Sequence, residues 1–153
     1  MKKIFCTTLI LISVVAIKAQ YGSLNVILQR LEERKGINQN LENININNTK
    51  FVLIKDFEDH TERNFIVIKD QFATYVEMFD DKKTGESYSN VFSGDIVRTK
   101  HNIVSLRADH LEGKKIAIPI AKTLLMTKQK NILYLIDINS RERWIEESAI
   151  NKK

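Results

Sequence analysis

Three textures of apolar and polar residues succeed one another along this chain. In the first, the apolar stretch Ile4 to Ile17 is broken only by Thr7, Thr8 and Ser13, follows Lys2 and Lys3, and ends at Ala19. A basic start, an apolar centre shorter than the roughly 20 residues of a membrane-spanning helix, and a small terminal residue predict a secretory signal peptide over residues 1–19. Ile17 stands where a small residue would be preferred, which leaves Ala19-Gln20 as the best cleavage point. In the second texture, Leu24, Ile27, Leu28 and Leu31 recur at the spacing of one helical face, behind Ser23 as an N-cap and ahead of Lys35 and Gly36 as a C-terminal stop. This predicts a short amphipathic helix of about three turns. Its polar side mixes Glu32 and Glu33 with Arg30, Arg34 and Lys35, which suits a lid on a core better than a membrane-surface helix. Asparagines at 38, 40, 43, 45, 47 and 48 then interleave with Leu41, Ile44 and Ile46, a composition that favours turns and irregular backbone and marks residues 37–49 as a connector.

After Lys50 the third texture begins: short β-branched and aromatic runs separated by charged turns, at roughly the 8–12 residue spacing of an antiparallel meander. The runs are Phe51 to Phe57, Asn64 to Ile68, Phe72 to Phe79, Ser87 to Phe92, Asp95 to Arg98, Ile103 to Ala108, Ile116 to Ile120, Thr123 to Thr127, Ile132 to Ile138 and Arg143 to Ile145. Turns this short exclude parallel neighbours, which need a crossover of about a dozen residues or more. Several runs, such as 51–54, 65–68 and 132–136, are apolar on both faces and so need cover on both sides. A barrel interior supplies one cover, and the helix from Ser23 to Lys35 is the candidate for the other. Pro119 cannot donate to a ladder and marks an edge or bulge. The expected fold is mainly β, an antiparallel meander or small up-and-down barrel with one short N-terminal amphipathic helix. The expected divisions are a signal peptide (1–19), helix and connector (20–49), antiparallel β domain (50–147) and polar tail (148–153).

Composition sharpens this picture through the signal. Of 153 residues, 43% are hydrophobic and 28% charged, with five glycines and one proline, which excludes collagen-like and disordered chains. The formal charge of +5 invites a nucleic-acid partner, but Lys2, Lys3 and Lys18 leave with the signal. The basic count then falls from 24 to 21 against 19 acids, a net charge of +2. A surface so nearly balanced is not an electrostatic footprint for nucleic acid. Cys6, the one cysteine, leaves too, and with it disulfides, thiol catalysis, cysteine-ligated metal and a lipid-bearing cysteine. The expected product is periplasmic or secreted, without a stable membrane anchor after cleavage. The two-lysine start looks bacterial, and the Ala19-Gln20 junction resembles exported proteins of the Bacteroidetes group.

The stretch Phe92-Ser93-Gly94-Asp95-Ile96-Val97, followed by His101-Asn102-Ile103-Val104-Ser105-Leu106, a Gly113-Lys114-Lys115 turn and Thr123-Leu124-Leu125-Met126, resembles the strand rhythm of bacterial lipocalin-like domains. The resemblance implies a small up-and-down barrel. One branch of those families, the copper-resistance and envelope-stress lipoproteins, carries a lipid-bearing cysteine and a Cys-x-x-Cys pair. This sequence has neither, so no metal-binding or signalling role carries over.

Candidate chemistry is sparse. The densest polar cluster is Asp56, Glu58, Asp59, His60 and Glu62, in which Asp56, Asp59 and His60 are weak candidates for a divalent cation. The cluster lacks the spacing of a calcium loop and falls at a hairpin turn. Ser105, Asp109 and His110 allow a triad to be written down, but no G-x-S-x-G elbow accompanies them. Asp80 with Asp81, or Glu146 with Glu147, supply paired carboxylates in positions where charges usually serve solubility. No phosphate loop, zinc-protease motif or nucleotide fingerprint is present, so the sequence points to no catalytic residue and no cofactor. The aromatics are better material: Phe72, Tyr75, Phe79, Tyr88, Phe92, Tyr134 and Trp144 lie in strands and, where they point inward, either fill a barrel or line a cavity, with Phe72, Tyr75, Phe79, Phe92 and Tyr134 the ligand candidates. Arg98, Lys100 and Arg107 are candidates for a basic rim that attracts an anionic head group. The expected function is an exported non-enzymatic binding protein for an apolar or amphipathic small molecule. The alternative is a secreted protein-interaction module, such as an inhibitor, immunity partner or cell-surface component, with a solid core.

Overall fold

The computed structural model describes residues 40–99 and 102–150, all within one compact unit, Asn40–Lys153. The expected signal peptide, the helix from Ser23 to Lys35, Lys100, His101 and the last three residues lie outside the described residues. Eight strands run in order: β1 (Thr49–Asp56), β2 (His60–Lys69), β3 (Phe72–Asp81), β4 (Ser87–Arg98), β5 (Ile103–Leu111), β6 (Lys114–Gln129), β7 (Ile132–Asp137) and β8 (Arg143–Glu146). Each pairs antiparallel with the next, and β8 returns to β1 through Phe51 opposite Glu146 and Val52 opposite Ile145, closing an up-and-down barrel. Residues 147–150, partly assigned above to a polar tail, form a single helical turn, α1 (Glu147–Ile150).

Ten sequence runs become eight strands because the two apparent breaks are irregularities within long strands. The runs Ser87 to Phe92 and Asp95 to Arg98 join across Gly94, where the β4–β5 register shifts. The runs Ile116 to Ile120 and Thr123 to Thr127 join in β6. There Ala108 faces Ile120 and His110 faces Lys115, so Pro119 falls in the unpaired stretch opposite the shift. A residue without an N–H is harmless at that place. The two-residue turns at Glu112-Gly113 and Lys130-Asn131 have positive φ at both central positions, the backbone that fits the twist of a tight hairpin.

Alternation along the strands stacks the interior in rows. Phe51, Ile66, Tyr75 and Phe92 face one another across β1 to β4. Val104, Leu106, Leu124, Met126, Leu135 and Trp144 complete the filling from β5 to β8, all essentially without solvent contact. The connector closes one end: Leu41 and Ile46 are buried in the same core and Ile44 packs on it. Arg98 donates to the backbone carbonyls of Leu41 and Ile44. Asn47 and Asp70 exchange two hydrogen bonds, of 2.7 and 2.6 Å. The asparagines of this segment thus serve its irregular backbone, as Asn40 and Asn45 also do by accepting from amides two residues on.

Candidate functional site

At the opposite end the interior changes character. Above the aromatic and aliphatic row lies a row of Leu53, Asn64, Glu77 and Asn90, and above that one of Lys55, Glu62, Phe79 and Tyr88. Lys122 from β6 and Glu142 from the turn before β8 face them, and these residues surround an open cup of about 380 Å³. Strand alternation puts them inside as firmly as it does the core residues, since each is an even number of positions from a buried neighbour: Tyr75, Glu77 and Phe79 are one inward series.

The cup contains one ion-paired network and further polar groups beside it. Lys55 reaches Glu62 at 3.3 Å and is also paired with Glu142. The bond to Glu142 raises the Lys55 pKa, and Glu62 adds to it against the opposing effect of burial. Burial pushes the Glu142 carboxyl up, but Lys55 and the Ser140 hydroxyl together hold it below its ordinary value. Tyr75, pushed strongly up by burial and then by its carboxylate neighbour, keeps its proton and donates it to Glu77 at 2.9 Å. Lys122 lies over the rings of Tyr75, at 4.8 Å, and Trp144, at 5.2 Å, and is in no ion pair among the described residues. Asn64 is only 9% exposed, and its amide has no hydrogen-bond partner among the described residues. At the lip, His60 is sandwiched between Phe57 and Phe79 with ring centroids 4.5 Å apart on each side. Its Nδ1 lies 2.7 Å from Asp59.

The sequence-derived ligand residues divide by position. Tyr75 and Phe79 line the cup, and Phe92 lies beneath, stacked on Tyr75 with centroids 6.0 Å apart. The other four lie away from the cup. Phe72 faces outward and is 64% exposed, because it precedes the inward Ala73 by one residue. Tyr134 is outward for the same reason, with the Arg143 guanidinium 3.6 Å above its ring. Arg98 belongs to the closed end, and Arg107 is exposed on the outer face of β5. Glu62 was visible in the polar cluster of the β1–β2 turn. Asn64, Glu77, Asn90, Lys122 and Glu142 were not, although their in-out parity is a signal that could have found them.

The remaining polar candidates are engaged locally. Asp56 accepts from Thr61 and pairs with Lys82 at 2.7 Å, while Asp59 is occupied by His60. Asp56, Asp59 and His60 do not converge, and no group of three or more ligating side chains arranged for a metal occurs among the described residues. His110 is bonded to the adjacent Asp109 at 2.7 Å, but Ser105 lies five strand positions away, roughly 15 Å at the rise of a strand. Asp80 accepts both guanidinium bonds of Arg63, Asp81 accepts the amides of Lys83 and Thr84, and Glu147 pairs with Lys50. Comparison of the chain with family profiles, with curated proteins and with solved structures finds no match.

Proposed function

We propose that this chain is an exported, non-enzymatic binding protein whose open barrel end receives a small amphipathic molecule. The observation that carries this reading is the cup itself, in which Tyr75, Phe79 and Tyr88 share one 380 Å³ space with Asn64, Glu77 and Lys122. Of the two ligand classes expected from sequence, the amphipathic one fits. A wholly apolar guest would strip water from a carboxylate, an ammonium and an amide without replacing its hydrogen bonds, at a cost of several kcal/mol. Eight strands in an up-and-down barrel agree with the lipocalin-like resemblance, and the residue 1–19 pattern supports a periplasmic or secreted location.

A second reading, a protein-interaction module, draws on the outer face. The lower barrel is filled, and Ile54, Val97 and Ile118 are 55%, 60% and 84% exposed. Native mass spectrometry of the protein purified from its own host, with titration of a dansylated fatty acid as an amphipathic probe, separates the two. A small-molecule adduct or saturable probe binding, lost in Phe79→Ala, is expected. A bare polypeptide mass, no probe binding and a stoichiometric protein partner would replace the first reading with the second.

A further inference from the structure

We infer that the ligand is a zwitterion of the α-amino-acid class with a flat apolar side chain, an inference that rests on the binding reading above. Lys55, Glu62 and Glu142 are bonded to one another, and Lys122 stands near enough to Glu142 to help hold its carboxyl low. The other polar groups lining the cup include the Glu77 carboxylate, the Lys122 ammonium and the amides of Asn64 and Asn90. Glu77 accepts from the Tyr75 hydroxyl and is in no ion pair among the described residues. Lys122 rests on two aromatic faces. Asn64 is nine-tenths buried with its amide unbonded and facing the cup. That amide carries two N–H donors with no partner among the described residues, so a guest acceptor placed beside it would be bonded.

The two charges flank a single side chain, since the Tyr75 hydroxyl is on Glu77 and the Tyr75 ring lies under Lys122. A guest ammonium placed at Glu77 and a guest carboxylate placed at Lys122 and the Asn64 amide would complete both pairs at once. A simple anion or cation would complete one and leave the other without an ion pair. The guest's apolar group then points to the mouth, where Phe79 and Tyr88 stand side by side across β3 and β4. A cup of about 380 Å³ lies near the small end of ligand sites, of amino-acid rather than lipid size.

The test is calorimetric titration of the full chain with L-phenylalanine, with phenethylamine, which keeps only the ammonium, and with 3-phenylpropionate, which keeps only the carboxylate. L-Phenylalanine is expected to bind at least about tenfold more tightly than either, one decade for each lost charge contact. Glu77→Gln should weaken L-phenylalanine and phenethylamine but not 3-phenylpropionate, and Lys122→Met should weaken L-phenylalanine and 3-phenylpropionate but not phenethylamine. This crossed pattern is one that general misfolding cannot produce. Equal or tighter binding of either singly charged compound overturns the inference. So does binding of the dansylated fatty acid without L-phenylalanine, which leaves the broader binding reading intact. Absence of every probe and of any native adduct overturns both.

Discussion

Replacing Gly94 with alanine tests the barrel at its tightest point. A methyl carbon built there would stand 2.0 Å from the Arg107 carbonyl oxygen and 2.6 Å from the Ala108 Cα. Both obstacles are backbone, so no side chain can swing aside, and β4 and β5 must part by more than about an ångström to reach ordinary contact. A ladder hydrogen bond stretched by that amount from about 2.9 Å is broken. Two such bonds at about 1 kcal/mol each, plus about 2 kcal/mol for displacing the packed Ala108 and Ile96, give a loss near 4 kcal/mol. At about 4 °C per kcal/mol for a domain of this size, the melting temperature should fall by roughly 15 °C. Gly113 supplies the control. It has φ +78 but open space around its missing Cβ, so Gly113→Ala should cost only the left-handed backbone penalty of about 1–2 kcal/mol. Urea unfolding followed by Trp144 fluorescence, with parallel thermal melts, measures both. If Gly94→Ala is no more destabilising than Gly113→Ala, the close approach of β4 to β5 is wrong.

Three further outcomes follow from the same geometry. Arg98→Ala removes both bonds to the Leu41 and Ile44 carbonyls. It should cost about 2–3 kcal/mol in urea unfolding and speed proteolysis within residues 40–48. Phe51→Ala empties a fully buried site in the row with Ile66 and should cost about 3–5 kcal/mol, read as a shift in urea midpoint at unchanged slope. Acid should destabilise the fold. The Glu142 carboxyl is pushed up by burial but held lower still by Lys55 and Ser140, and Asp80 is held low by Arg63 and Ser87. Their folded pKa values therefore lie below the unfolded ones, and the unfolded chain takes up protons first as pH falls. The stability they confer is present above the unfolded values of 4.5 and 3.8 and is lost as pH drops through and below them. Urea midpoints that stay level or rise from pH 6 to pH 3, or a decline no shallower in Lys55→Met, would contradict this.

How far the sequence could be read depended on whether inside meant apolar. The meander was legible because its turns are short, with Asp70-Gln71, Glu112-Gly113 and Lys130-Asn131 each joining strands that pair to the last residue. The number of strands was not, because Gly94 and Pro119 interrupt an apolar pattern whether they end a strand or let it bend through a register shift. At the site, aromatic character found Tyr75 and Phe79 but drew in Phe72 and Tyr134, each one residue off the inward series. A one-residue offset reverses the face of a strand, so parity excludes them and admits Glu77 and Asn64 instead. Hydrophobic patterning cannot make that assignment, because it places charges outside by rule, and the cup breaks the rule. Lys122 is further from reach, since only closure of the barrel brings β6 over Tyr75 on β3.

The division of labour along the barrel axis turns this reading into an experiment on the whole molecule. The closed end holds Leu41, Ile46, Phe51 and Ile66 in a dry core clamped by Arg98, whereas the open end holds Asn64, Glu77 and Lys122 beyond the packed rows. Glu77 holds the buried Tyr75 hydroxyl and Lys122 rests on two rings, but the Asn64 amide makes no bond among the described residues, so its removal should leave stability level or raise it, the usual mark of a group retained for binding. Asn64→Leu is the sharpest case: it fills the same inward position between Leu53 and Glu77 with an apolar side chain of similar size. It should raise the urea midpoint or leave it unchanged while weakening L-phenylalanine by tenfold or more. A loss of more than about 2 kcal/mol of stability would assign Asn64 to the fold and remove the amide from the binding argument.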